Sequence, residues 1–277
     1  MPIPYSPLRY PGGKGQLSHK ILDIIERNNL TGGSYAEPYA GGSGVALFLL
    51  LGGHVNHIYI NDIDYAVYSF WCSILNHTDE FVRKIQQTEI NMAEWRRQKQ
   101  IFENNRAHSI LESGFATFFL NRTNRAGILK GGVIGGQNQD GDYALDCRFN
   151  KQRLIQFIQD IAAHRGQITV SGDDALTFLR EHSNIFDERT LVYLDPPYYI
   201  KGSLLYTNFY EHNDHMQLSE YVKNHLQCPW IVSYDHAPEI QEMYEGLQQR
   251  EISVNYSVHK KTKMPELMIF SPLVAPV

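Results

Sequence analysis

At 277 residues, with 43% hydrophobic and 20% charged residues, the chain has the make-up of an ordinary globular protein, one large domain or one domain with a sizeable insertion. It holds no apolar run of about 18 residues, its start, MPIPYSPLRYPGGKG, lacks the layout of a signal peptide, and its three cysteines, Cys72, Cys147 and Cys228, form no C-x-x-C pair. These features speak against a membrane span, a disulfide framework and a zinc site, and lead to the expectation of a cytoplasmic protein. The net charge of −5 is unevenly spread: residues 70–155 hold 12 Lys and Arg against 9 Asp and Glu, +3, which leaves −8 for the remainder.

Taken in chain order, GSYAEPYAGGSG (33–44) reads as a short strand, a glycine-rich turn and then an apolar helix, VALFLLLGG. HIYINDID (57–64) is a second strand ending in acids, and Asp62 falls about 20 residues after the glycine turn, where an acid bonds the ribose of a nucleoside cofactor. Residues 66–160 break the alternation with helical-looking EFVRKIQQ, MAEWRRQKQIFENN and SILESGFATFFL, followed by GILKGGVIGGQNQDGD, which is too polar and glycine-rich for core and reads as a hairpin or mobile loop. QITVSGDDAL (167–176), LVYLDPPYY (191–199) and WIVSY (230–234) are three more strands, the first and last leading into helices. Strand–helix alternation of this kind predicts an α/β fold with a doubly wound, Rossmann-like parallel sheet. The expected division is a sheet domain of residues 1–65 and 161–277, interrupted by a mainly helical, basic insertion at 66–160.

LVYLDPPYY carries the most specific signal. Its apolar half is a buried strand with Asp195 at the carboxyl end. Pro196 and Pro197 lack a backbone N–H and cannot continue a ladder, so the chain leaves the sheet where α/β folds bind ligands. A rigid turn that presents an acceptor beside Tyr198 suits a planar, amine-bearing ligand. YPGGKGQ is not a P-loop, because it lacks the G-x-x-x-x-G-K-[ST] spacing and follows no apolar strand. The twelve histidines include no H-x-x-x-H pair on a helix face, so no metal site is expected.

Together, LRYPGGK (8–14), EPYAGGSG (37–44), YINDID, SGDDAL and DPPY (195–198) resemble, over nearly the whole chain, the Dam-type class of N6-adenine DNA methyltransferases, which use S-adenosylmethionine. The resemblance implies that Tyr10 and Lys14 contact the cofactor, as do Glu37 and Gly41 of the glycine loop, Asp62 at the ribose, Asp173 near the adenine, and Asp195. It makes Asp195, Pro196, Pro197 and Tyr198 the catalytic motif. One departure is that Ser43 stands where the class commonly has Gly. SYDHAPEIQEMY and MPELMIF resemble the class's later strands, and the basic insertion falls where its target-recognition region lies.

The chemistry agrees. Adenine N6 is a poor nucleophile because its lone pair is delocalised, so acceptors must meet the amino hydrogens as charge develops. The Asp195 carboxylate and the Pro196 carbonyl can do this for a base flipped out of double-stranded DNA and stacked on Tyr198. In NRTNRAGILKGG (121–132), Asn121, Arg122, Arg125 and Lys130 are the expected DNA contacts, whereas WRRQKQ (95–100) reads as a solvated helix face. The arginine with which GATC-reading members recognise DNA aligns with Lys130, and GGVIGGQNQDGD replaces the stretch after it, so GATC specificity is not carried over. Methylation of adenine in RNA, of cytosine N4, or a catalytically idle DNA-binding subunit are the alternatives. The intact motifs stand against the last, and Asp195, in place of the usual Ser, against the cytosine chemistry.

Overall fold

A computed structural model of the chain describes residues 6–9, 17–200, 210–257 and 261–276. The five expected strands are present: β1 (Ser34–Glu37), β2 (His57–Asn61), β3 (Ile168–Ser171), β4 (Thr190–Leu194) and β5 (Trp230–Asp235). All five run parallel, and β6 (Gln248–Ser257) and β7 (Lys261–Phe270) close one edge as an antiparallel pair, giving a seven-stranded sheet of order β3-β2-β1-β4-β5-β7-β6. The order reverses between β1 and β4, the Rossmann-like switch point at which the carboxyl ends of two neighbouring strands open a crevice.

Alternation along the strands divides the core in two. Tyr35, Leu191, Tyr193 and Ile231 face one buried cluster, and Ala36, Val192, Leu194, Trp230 and Val232 face the other, on the opposite side of the sheet. Both faces are therefore covered, which is why these strands read as continuous apolar runs. Helix α1 (Ser18–Arg27) and the almost wholly apolar α2 (Gly44–Leu51) lie in the first cluster.

The segment between β2 and β3 is helical: α3 (Tyr65–Asn76), α4 (Thr78–Gln87), α5 (Met92–Glu103), α6 (Ile110–Thr123) and α7 (Lys151–Ala163). Local signals set the starts. Asp64 caps α3 by accepting from Ala66 N–H at 2.9 Å, Ser109 and Glu112 form a capping box on α6, and Asn150 caps α7. Helices α3 and α6 cross so closely that a Cβ on Gly114 would lie 2.3 Å from Ser73 Oγ and 2.4 Å from the Ser69 carbonyl. Phe70, Phe81, Phe115, Phe118 and Phe149 pack around that crossing within the same cluster as the sheet residues Tyr35 and Leu191, so these helices and the sheet share one core.

The glycine-rich stretch after α6 is a loop closed at its base, where the Arg125 N–H donates to the Gly132 carbonyl and the Ile134 N–H to the Thr123 carbonyl, both at 2.9 Å. Asn124 and Val133 form a single antiparallel bridge, and Gln139, at φ +55°, ties the rest together. Its amide donates to the Ile134 and Gly136 carbonyls at 2.7 and 2.8 Å and accepts from Leu145 N–H at 3.0 Å. Val133 and Leu145 are buried, which anchors a segment whose composition suggested no core contribution. Beyond β3, α8 (Ala175–Glu181), α9 (His212–Asn224) and α10 (Pro238–Met243) complete the layers. No helix among the described residues is long and apolar enough to cross a membrane.

Candidate active site

Each parallel strand delivers an acid or amide to one edge of the sheet, and the catalytic candidates gather there. β4 ends at Leu194, and the two buried prolines turn the chain away with Asp195 half-buried beside the neighbouring strand. Ser233 of β5 donates from Oγ to Asp195 Oδ1 at 3.1 Å and shares a 2.8 Å hydrogen bond with the Tyr193 hydroxyl, so the carboxylate is oriented from the adjacent strand. Tyr198 is 8% exposed, and its hydroxyl donates to Glu266 Oε1 at 2.5 Å. Asp235, the last residue of β5, accepts from the N–H groups of Tyr199 and Ile200 at 2.8 and 2.9 Å. The Asp-Pro-Pro-Tyr turn is thus held from β5 and β7, whose register sets Asp235 opposite Glu266.

Across the switch point, the turn after β1 is fixed by hydrogen bonds rather than by glycine content alone. Gly41, at φ +48°, donates its N–H to Asp62 Oδ2 at 2.8 Å, and its carbonyl accepts from Trp71 Nε1 at 3.0 Å. Ser43 takes the left-handed conformation, φ +47°, that a glycine would adopt without strain, and its buried hydroxyl has no hydrogen-bond partner among the described residues. Glu37 is buried and accepts from the Tyr35 hydroxyl at 3.1 Å. The Tyr35 phenol is pushed up by burial first, and then by the charge of Glu37 beside it.

Asp62 stands at the end of β2. Burial pushes its carboxyl up to about 6, against the opposing pull of the Asp64 and Gly41 N–H groups. Its other oxygen accepts from Asp64 N–H at 2.9 Å. Beside it, Asn61 ties three strand ends: its amide donates to the Pro38 and Asp173 carbonyls, both at 3.0 Å, and accepts from Asp173 N–H at 2.9 Å. Asp173 lines a cleft of about 320 Å³ together with Ile63, Tyr65, Tyr68 and Arg106, the last reaching over the Tyr65 ring from the helical segment. Tyr10 and Lys14 lie outside the described residues.

The four DNA-contact candidates separate. Asn121 is 3% exposed, and its side chain is committed to backbone: Oδ1 accepts from Arg9 N–H, and Nδ2 donates to the Arg9 and Gly127 carbonyls, at 2.7 to 2.9 Å. The expectation that it reaches DNA is corrected, because every polar atom it offers is already spent inside the fold. Arg122, at the end of α6, is half-buried, whereas Arg125 and Lys130 are exposed on the loop beyond. On α5, Trp95 is buried and donates to Asn124 Oδ1 at 2.8 Å, while Arg96 and Arg97 face solvent.

Sequence reasoning passed over Asn61, Ser233, Asp235 and Glu266. Asp235 had a signal, since it ends its strand as Asp62 and Asp195 end theirs. The other three are recognisable only once the strands are paired. Among the described residues no group of three or more His, Cys, Asp or Glu side chains is arranged to hold a metal ion.

Residues 10–264 match the family described as D12 class N6 adenine-specific DNA methyltransferase. Among solved structures, the chain is similar to the rRNA methyltransferase aviRa from Streptomyces viridochromogenes, at 13% identity and a TM-score of 0.38, over 95% of this chain and 86% of that one. No curated protein matches.

Proposed function

The chain belongs to the D12 class of N6 adenine-specific DNA methyltransferases, and from that membership we propose that it methylates a flipped adenine of double-stranded DNA at the turn 195–198, with S-adenosylmethionine as donor. The observation that carries this reading is the placement of Asp195 at the carboxyl edge of β4, fixed by Ser233, across the switch point from the Gly41–Asp62 pair.

The residues fit the donor. Gly44 opens α2 with nothing within 4 Å of where its Cβ would stand, Ser43 leaves a buried hydroxyl without a partner among the described residues, and Asp62 presents a carboxylate at the end of β2. Glu37, Gly41, Asp62 and Asp173 would hold it, with Asp62 accepting from ribose hydroxyls and Asp173 facing its adenine. Tyr10 and Lys14 join them on the strength of the motif. Bound there, the donor supplies a sulfonium methyl for displacement.

The chain's own contribution is to the nucleophile. Asp195 and the Pro196 carbonyl accept the N6 hydrogens and draw the lone pair out of the ring as the new bond forms. Pro197 fixes the turn, and Tyr198, pinned by Glu266, offers its ring as a wall for the base. The helical segment 66–160 is the target-recognition part, presenting Arg125 and Lys130 from its exposed loop. Incubation with labelled donor and either a randomised DNA duplex or RNA, followed by nucleoside mass spectrometry, tests the reading. N6-methyladenine in DNA alone supports it, and label in RNA or on cytosine would replace it.

A further inference from the structure

Along the carboxyl edge the strands β3, β2, β1 and β4 are neighbours in that order, and the residues just beyond them are Asp173, Asp62, the Gly41 turn and Asp195. Neighbouring strands lie about 4.8 Å apart, so this row is about 14 Å long, the scale of an extended nucleoside with a 5′ substituent. A donor with its ribose at Asp62 and its methyl toward Asp195 therefore directs its base past β2, into the cleft at the end of β3. The cleft adjoins Asp62 directly: Ile63 is next in the chain, and the Asp62 N–H donates to the Ser171 carbonyl at 3.3 Å. Its walls are flat and apolar. Tyr65 and Tyr68, one turn apart on α3, have ring centroids 6.4 Å apart. Tyr68 lies against the bare backbone of Gly172, where a Cβ would come within 2.8 Å of the ring, and Ile63 is 47% exposed beside them. Two polar groups of the cleft are unused by the fold. Asn61 takes only the backbone of Asp173, so its carboxylate has no donor among the described residues. The exposed Arg106 guanidinium has no hydrogen-bond or ion-pair partner among them either, and lies over the Tyr65 ring at 4.8 Å. The turn that carries it, Asn105–Ala107, is tied to α6 by Ser113 Oγ, which donates to the Asn105 carbonyl at 2.6 Å.

We propose that Arg106 is a donor-binding residue, its guanidinium plane closing the cleft over the adenine ring of S-adenosylmethionine. The inference rests on the methyltransferase reading and deepens it. A guanidinium suits the place because it is planar, weakly hydrated and attracted to the face of a π-system, whereas a lysine would offer only a point charge. The Tyr65 ring beneath it keeps the plane at the mouth of the cleft, and Asp173 is left free to accept from the amino group of the base. The helical segment then serves both substrates: its α5–α6 turn supplies a wall of the donor site, and the loop beyond α6 presents Arg125 and Lys130 to DNA.

The test is titration calorimetry of wild type, R106A and R106K with two ligands: S-adenosylmethionine, and 5′-methylthioadenosine, which keeps the adenine and ribose but lacks the amino-acid end. R106A is expected to bind both ligands more weakly by the same factor, roughly 3- to 30-fold, because the lost contact is to the ring they share. R106K, which keeps the charge without the plane, should recover only part of the loss. Both variants should melt as the wild type does, since the exposed side chain holds no hydrogen bond in the fold. Unchanged affinities in R106A, a loss confined to S-adenosylmethionine, or full recovery in R106K overturns the proposal. A wild type that binds both ligands, with R106A binding them as tightly, refutes the role of Arg106 alone, whereas a wild type that binds neither refutes the underlying reading.

Discussion

Asp62 makes cofactor affinity depend on pH in a direction the structure sets. Its carboxyl is raised to about 6 by burial, so below that pH the free protein holds it protonated and must release the proton before it can accept from two ribose hydroxyls as a carboxylate. The apparent dissociation constant should therefore grow as pH falls, about twofold at pH 6 and about tenfold at pH 5, following the fraction ionised. The stability contribution has the opposite sense. Because the folded value lies above the unfolded one, Asp62 favours the folded state most below the unfolded value of 3.8, and that contribution is lost as pH rises through about 6. Titration calorimetry with S-adenosylmethionine between pH 5 and 7 reads the affinity directly. Asp62→Asn, which does not titrate, should bind more weakly and with a flat profile. A wild-type affinity that stays constant over that range, or an Asp62→Asn profile as steep as the wild type's, would refute the assignment of Asp62 to the ribose.

Two further outcomes are expected. Ser233→Ala removes the hydroxyl that donates to Asp195 Oδ1 at 3.1 Å; losing one charge-assisted hydrogen bond should slow single-turnover methyl transfer by about 1.5–3 kcal/mol, roughly 10- to 150-fold, with cofactor affinity unchanged. Asn121→Ala deletes three hydrogen bonds to the backbone of Arg9 and Gly127. Urea denaturation should show a loss of about 2–4 kcal/mol, far more than removal of an exposed DNA-contacting side chain would cost.

The carboxyl edge was legible because each of its acids follows a short apolar run bounded by turn residues, the pattern of a buried strand. Asp62 and Asp195 were found in this way, and the paired prolines marked where the chain leaves the sheet. Ser233 and Glu266 were not legible: their partners are set by the β4–β5–β7 pairing, and neither residue type announces itself within its own strand. Asn121 and Arg122 show a different limit. α6 is buried on nearly every side, so apolar periodicity assigns no face to its last turn, and adjacent polar residues could not be told apart. One of them is a backbone clamp, and the other is half-buried, its Nε without a hydrogen-bond partner among the described residues. The internal ties of the loop after α6 were not legible, because Gln139 staples it through contacts that composition does not report.

The most direct test of the account is single-turnover methyl transfer by Asp195→Ala on DNA containing the wild-type enzyme's own methylated sequence. The predicted result is a fall of at least about 3 kcal/mol in transition-state stabilisation, on the order of 100-fold or more in rate, by analogy with the loss of one oriented group at a developing charge, with cofactor and DNA affinities nearly retained. A variant that forms N6-methyladenine at close to the wild-type rate would contradict the claim that Asp195 draws the adenine lone pair into reaction.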